Sequence, residues 1–314
     1  MSGHWQDQRE GGGRRALWLI RQLALRGGRT LAGLALYPIA LYFLLRRADE
    51  RAASRDYLGR VFGRPATLRQ VYRHFHCFAA TLLDRIFLLA RGERDFAFEI
   101  EGLAELERRI AQGRGVLLVG SHQGSFEALR VLGARRPDLP LRIVLDKQKT
   151  PELTAMLEAL APELAASVVD ISRGGNAATL ALAEACREGA MVALLADRGR
   201  GHEVLRQAPF LGQPAPFPVG PWLLARTLGA PVMLCFGLYL GGNRYRLVFE
   251  PFAERIEIPR GAAREPALDA LLARYAARLE HHARALPYNW FNFYDFWRQD
   301  QHAPPRPGPG RADA

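Results

Sequence analysis

The sequence predicts an α/β fold: a largely parallel, mixed central sheet flanked by helices, with membrane-associating helices at the N-terminus. Three observations carry this. Short apolar runs such as Val116 to Val119 and Met191 to Ala196 alternate with helix-length amphipathic stretches through most of the chain. An uncharged run, Leu31 to Leu45 (LAGLALYPIALYFLL), is bracketed by arginines. The 314 residues, 49% hydrophobic and 24% charged, suffice for one large domain with a sizeable core.

At the front, Leu17, Trp18, Ile20, Leu23 and Leu25 alternate with Arg14, Arg15, Arg21 and Arg26. The run from Leu31 to Leu45 follows Arg26 and Arg29 and precedes Arg46 and Arg47. As a helix it reaches ~22 Å, short of ~30 Å of hydrocarbon, and Pro38 is expected to kink it. The RRADER that follows is no signal-peptide cleavage site. An in-plane anchor with arginines on lipid headgroups is the favoured reading. A single span aided by Trp18 to Leu25, and a buried core helix, stand beside it.

Asp49 to Gly63 reads as a polar helix. Leu68 to Ala90 is a second helix with Val71, Phe75, Phe78, Ala79, Leu82, Leu83 and Ile86 at helical spacing. His74 and His76 on it do not share a face and make no metal site; with Asp84 they read as surface or packing residues. Further strands are predicted at Phe96 to Glu101, Leu141 to Leu145, Ser167 to Ile171, Val232 to Leu240 and Tyr245 to Phe249. The last two are joined by Gly241, Gly242 and Asn243. Helices are predicted at Leu103 to Gln112, Phe126 to Leu132, Pro151 to Leu160, Ala177 to Arg187, Pro221 to Leu228 and Leu268 to Ala285. The organisation is thus a basic, hydrophobic anchoring segment at 1–48, an α/β domain with a helical N-terminal part at 49–300, and a disordered Pro/Gly-rich tail at 301–314.

The net charge of +11 favours an anionic partner, either a membrane surface or an acidic protein. Only Lys147 and Lys149 of the 43 basic residues are lysine. The arginines are spread along the chain without a base- or phosphate-reading motif, so nucleic acid is not an expected partner. Cys77, Cys186 and Cys235 are far apart and have neither metal nor disulfide spacing.

The chemistry concentrates in VLLVGSHQGSFEALR, Val116 to Arg130. A buried strand ends at Gly120, a polar turn carries His122, and a helix is expected to open after Gly124. In parallel sheets, sites form at the carboxyl ends of strands. On one continuous helix, His122 and Glu127 would be about 140° apart. A bend at Gly124 would let the Glu127 carboxylate orient one imidazole nitrogen, leaving the other as general base, with helix amides available for an oxyanion. The plainer alternative is a capping His and an exposed first-turn Glu. No metal site is read here, and HQGSF is not a nucleophile elbow.

His122 to Glu127 resembles the H-x4-D/E motif of the lysophospholipid acyltransferase superfamily. From about Leu17 to Trp297 the chain resembles the late acyltransferases of lipid A biosynthesis. The resemblance implies transfer of a fatty acyl chain from an acyl carrier protein or coenzyme A thioester to a hydroxyl or amine of a lipid or glycolipid acceptor. His122 would act as base with Glu127 in support. It requires no cofactor or metal beyond that acyl co-substrate. It implies a place on the cytoplasmic face of a bacterial inner membrane, single-pass or monotopic.

By the same resemblance Lys147 stands where the family usually carries an Arg, with Lys149 beside it; a solvated loop pair is the alternative. Asp197 and Arg198 in ALLADRG would line the cleft, or form a plain strand-end ion pair. Phe210 and Phe217, in APFLGQPAPFPVGPWLLAR, would wall an acyl or acceptor site, or pack a loop. The aromatic run PYNWFNFYDFW, Pro287 to Trp297, departs from the basic ending of the lipid A enzymes and points to another acceptor. It covers an acyl groove, meets the membrane interface, or closes the core. The non-catalytic alternative is a membrane-associated lipid-binding or scaffold protein on the same fold.

Overall fold

A computed structural model describes residues 14–129, 140–172, 175–199 and 203–298, with side chains in the first helix from Gly28 onward. The side chains before Gly28, residues 130–132 of the helix expected over Phe126 to Leu132, and the Pro/Gly-rich tail lie outside the described residues.

Three helices lead: α1 (Arg14–Arg46), α2 (Ala48–Phe62) and α3 (Leu68–Arg91). A full capping box opens α3. The Thr67 side chain accepts from the Gln70 amide, and the Gln70 side chain accepts from the Thr67 amide. The break in α1 falls at Gly28 (φ 71°, ψ 173°), not at Pro38, which lies within the helix. Glycine takes this angle without the Cβ penalty any other residue would meet.

The α/β body follows as β1 (Ala97–Glu101), α4 (Leu103–Ile110), β2 (Val116–Gly120), β3 (Leu141–Leu145), α5 (Pro151–Leu160), α6 (Pro162–Ala166), β4 (Val168–Asp170), α7 (Gly175–Arg187) and β5 (Met191–Leu195). The chain continues through β6 (Leu205–Phe210), β7 (Gln213–Pro218), α8 (Gly220–Leu228), β8 (Val232–Gly241), β9 (Arg244–Ala253) and α9 (Arg264–Ala285). The seven-stranded sheet has the order β1-β9-β8-β2-β5-β3-β4. Every pairing is parallel except β8 with β9. The sheet is therefore largely parallel and mixed, as predicted.

All five residues of β2 are buried, as expected of a central strand covered on both faces. Alternate side chains feed two cores. Leu117, Val119, Val192 and Leu194 pack with Tyr275, Trp222 and Trp290 on one face. Val116, Leu118, Met191 and Ala193 pack with Leu106 and Tyr245 on the other.

Two expectations are corrected. The stretch from Ala208 to the expected helix, read as loop, belongs to the antiparallel hairpin β6–β7 spanning 205–218. Four prolines fall in it, which a separate two-stranded ribbon tolerates because its outer edges need no amide donors. Of the helix expected over Phe126 to Leu132, the described residues Phe126–Leu129 form a 3-10 turn.

The N-terminal helix is two-sided. Ala32 and Leu36 are buried against Ala80, Leu83 and Phe87 of α3, and Ala40 is buried in the main core. Leu31, Leu34, Tyr37, Leu41, Tyr42 and Leu45 are exposed. Gly28–Arg46 is the one described stretch long and apolar enough to cross a membrane. Arg29, expected at headgroups, is instead bound to the buried Asp84 of α3 (2.7 and 3.0 Å). Asp84 also accepts from the Tyr245 hydroxyl at 2.8 Å.

Candidate active site

Strands β2 and β5 are parallel neighbours, with Gly120 in register with Leu195. Two residues beyond those partners stand His122 and Asp197. Equal run-out from paired strand ends places the two side chains at the same height on the carboxyl edge of the sheet. His122 Nδ1 lies 2.8 Å from Asp197 Oδ1, and the His122 amide donates to Oδ2 at 3.1 Å. The indole Nε1–H of Trp290 donates to Oδ2 at 3.0 Å.

Asp197 is fully buried, and the His122 side chain is 36% exposed. Burial by itself would raise the Asp197 pKa. The His122 charge and hydrogen bond, the Arg198 guanidinium and the Trp290 indole together outweigh it, holding the carboxyl far below its ordinary value. An ionised carboxylate on Nδ1 holds the ring proton there, which makes Nε2 the basic nitrogen.

Asp197 thus occupies the place at the imidazole where Glu127 was expected. Glu127 forms an ion pair with Arg85 of α3 (Nε–Oε1 2.7 Å) and accepts from the Ser125 hydroxyl at 3.1 Å. The physical reason is the turn itself. Gly124 (φ 69°) bends the chain, but the 3-10 turn then buries Glu127 beneath the sheet edge, toward α3.

The turn is clamped on both sides. The Gly124 amide donates to Asn289 O at 2.8 Å, the Ser125 amide to Gly237 O at 2.7 Å, and the Phe291 amide to His122 O at 3.0 Å. A Cβ on Gly124 would lie 2.0 Å from Gly237 O, and one on Gly237 would lie 2.1 Å from Ser125 O. Both positions therefore require glycine. The amides of His122, Gly124 and Ser125 are all committed to protein acceptors, so these three are not available as oxyanion donors.

Arg198 follows Asp197. Its guanidinium donates to the Phe291 carbonyl and lies 5.5 Å from the Tyr294 ring centroid, while its buried Nε meets no hydrogen-bond partner among the described residues. Lys147 and Lys149 follow β3, two strands from β2 on the same edge, roughly 10 Å along the sheet. The Lys147 amide donates to Asp170 and the Lys149 amide to Asp146. Lys149 is exposed and Lys147 half-buried.

Phe210 and Phe217 are fully buried. They do not face an open wall. Phe210 packs edge-on against Trp290 (5.0 Å) and Phe217 against Phe296 (5.6 Å). The aromatic run closes the core, with Trp290 and Phe296 fully buried. Among the described residues no group of three or more His, Cys, Asp or Glu could hold a metal.

Trp290 and the pairing of Asp197 with His122 were missed from the sequence. One signal was legible: VLLVG-Ser-His and VALL-Ala-Asp are buried strands that each end in one small residue and then a polar one. The Trp290 contact spans 93 positions and had no local signal.

The model of the family described as bacterial lipid A biosynthesis acyltransferase matches residues 16–299 of this chain. No curated protein matches it.

Proposed function

We propose, for a chain that belongs to the bacterial lipid A biosynthesis acyltransferase family and is thereby an acyltransferase, that it moves a fatty acyl group from an acyl carrier protein or coenzyme A thioester to a hydroxyl or amine of a lipid-like acceptor. The observation that carries this reading is the half-buried imidazole of His122 held through Nδ1 by the buried Asp197.

His122 Nε2 takes the acceptor proton as the acceptor oxygen or nitrogen attacks the thioester carbonyl. Asp197 stabilises the imidazolium that forms. The tetrahedral intermediate collapses with cleavage of the carbon–sulfur bond, and the imidazolium returns its proton to the leaving thiolate. The Arg198 guanidinium supplies positive potential to the developing oxyanion, in place of the committed turn amides. Glu127 acts one step back: by neutralising Arg85 and accepting from Ser125 it holds the turn that carries His122. Lys147 and Lys149, on the same edge, are suited to phosphate groups of donor or acceptor.

The exposed face of α1 supports an in-plane attachment. Its opposite face is already used against α3. Leu31, Leu34, Leu41 and Leu45 would enter the acyl boundary of the inner membrane at its cytoplasmic face, leaving the carboxyl edge of the sheet to receive lipid.

The test is incubation of purified protein with labelled acyl carrier protein thioester, or with labelled acyl-coenzyme A, and a bacterial lipid extract. Label passing into lipid with wild type and not with a folded His122→Ala variant is the expected result. Undiminished transfer by His122→Ala would refute the mechanism, and acyl binding without turnover would favour a lipid carrier.

A further inference from the structure

We infer that Trp290 is a positioning residue for the His122–Asp197 pair, acting through its indole N–H rather than through its bulk alone. The inference deepens the proposed acyl-transfer reading and rests on it for its kinetic consequences, though not for its geometry.

Asp197 receives three N–H donors. Oδ1 faces the His122 ring, and Oδ2 accepts from the His122 amide and from Trp290 Nε1. Two donors on Oδ2 fix the plane of the carboxylate and so aim Oδ1 at Nδ1. Without the indole, Oδ2 would keep only the His122 amide, at 3.1 Å, to restrain a terminal torsion that is soft.

Trp290 is itself immobilised at both ends. Its backbone pairs in an antiparallel bridge with Gln123, the residue after the base. Its carbonyl sits 2.9 Å from His74 Nε2, and His74 Nδ1 lies 2.8 Å from the Ser54 hydroxyl. A carbonyl can only accept, so Nε2 carries the proton and Nδ1 accepts from Ser54. The indole is enclosed edge-on by Tyr57, Phe210 and Phe296. One residue therefore ties the helical layer, the aromatic core and the carboxylate of the site together. The aromatic density of residues 287–297 has a chemical purpose at one position and a packing purpose at the others.

Two roles must be separated: filling space, and donating a proton to Oδ2. Replacing Trp290 by 3-benzothienylalanine keeps the bicyclic shape and exchanges the N–H for sulfur. Trp290→Phe removes the N–H together with part of the ring, and Phe296→Leu removes packing from the same cluster but leaves the N–H in place. With histidine isotopically labelled, the titration of His122 is followed by NMR in each protein, and transfer kinetics are measured alongside.

Loss of the donor leaves Oδ2 less neutralised and Asp197 a stronger partner for imidazolium, so the His122 midpoint is expected to rise by roughly half a pH unit or more in the isostere. The expected kinetic effect is a fall in kcat of roughly tenfold at unchanged KM, with the acid limb of the rate profile moving up in parallel. Phe296→Leu is expected to lower Tm without moving the His122 midpoint. An unshifted midpoint in the isostere would overturn the inference even if the protein transfers no acyl group at all. A shifted midpoint in a protein without transfer would uphold the positioning role and refute the acyl-transfer reading separately.

Discussion

Two buried aspartates sit in one molecule under opposite regimes. Asp197 bridges the ends of β5 and β2, and Asp84 ties α3 to α1 and β9. Both are shut from solvent. Burial pushes both carboxyls up; at Asp84 the Arg29 pair and the Tyr245 hydroxyl do not fully offset it, whereas at Asp197 the partners more than do so. The difference teaches what a strand-end carboxylate gains from its surroundings. It sits against an imidazole, a backbone amide and an indole, with a guanidinium next in sequence. Asp84 is an anchor for a helix, and Asp197 is an anion maintained beside an imidazole that, in the proposed mechanism, accepts and returns a proton.

The largest expected effect breaks this comparison at its functional end. Asp197→Asn preserves shape but removes the anion and permits the wrong imidazole tautomer. A loss of roughly a thousandfold or more in kcat, with Tm nearly unchanged, is the expected outcome. The acid limb of the rate profile should move to lower pH, because the imidazolium loses its counter-charge. Glu127→Gln should cost less, about ten- to a hundredfold, and should be accompanied by a drop in Tm, since Arg85 loses its neutralising partner. A larger kinetic loss at Glu127 than at Asp197 would reverse the assignment.

At the structural end, Asp84→Ala strands a half-buried Arg29 and the Tyr245 hydroxyl. The expected loss is about 3 kcal/mol of unfolding free energy by denaturant titration, with transfer per folded molecule retained. The double variant Arg29→Met, Asp84→Leu should recover most of it, because an apolar pair of similar volume replaces the ions. Failure of the double variant to recover would mean that the pair specifies where α1 docks.

His74 sharpens the contrast from the neutral side. Burial pushes its imidazole down to about 4, partly countered by the Trp290 carbonyl. The folded state thus binds this proton more weakly than the unfolded chain, whose midpoint is the ordinary 6.5. Stability from this site is complete above pH 6.5 and lost as pH falls toward 4, by ~3 kcal/mol in all. Between pH 7 and 5, His74→Gln should lose about 2 kcal/mol less than wild type. Equal losses would place the acid sensitivity elsewhere.

How much of this was legible in the sequence follows the range of the interactions. The strands β2 and β5, the turn at Gly124 and the helix α3 announce themselves through local periodicity and breakers. His122 stood out because a polar residue directly after a buried strand has few structural reasons to be there. Nearness in sequence points to Glu127 as the carboxylate at its ring, whereas strand register brings Asp197 there, 75 positions away. Register is a property of paired strands and is invisible until their order in the sheet is known. Arg29 misled in the same way: beside an apolar run it reads as a headgroup contact, and only the docking of α1 on α3 supplies its buried partner.

The smallest effect concerns the face of α1 that meets no protein. Leu34 and Leu45 are 61% and 66% exposed, on the side opposite Ala32, Leu36 and Ala40. Each leucine buried in an acyl boundary contributes about 2 kcal/mol relative to water. Replacing both by serine should release much of the protein into the supernatant of a membrane preparation while leaving Tm unchanged, because neither side chain packs in the core. A helix that crossed the bilayer would behave otherwise, since two serines in an otherwise apolar stretch do not extract a spanning segment. Retention of the double variant in the pellet after alkaline washing would therefore replace the in-plane attachment by a span. That outcome would also require α1 to leave α3 and Asp84 to lose Arg29, so the stability of Asp84→Ala in membranes decides the same question from the protein's side.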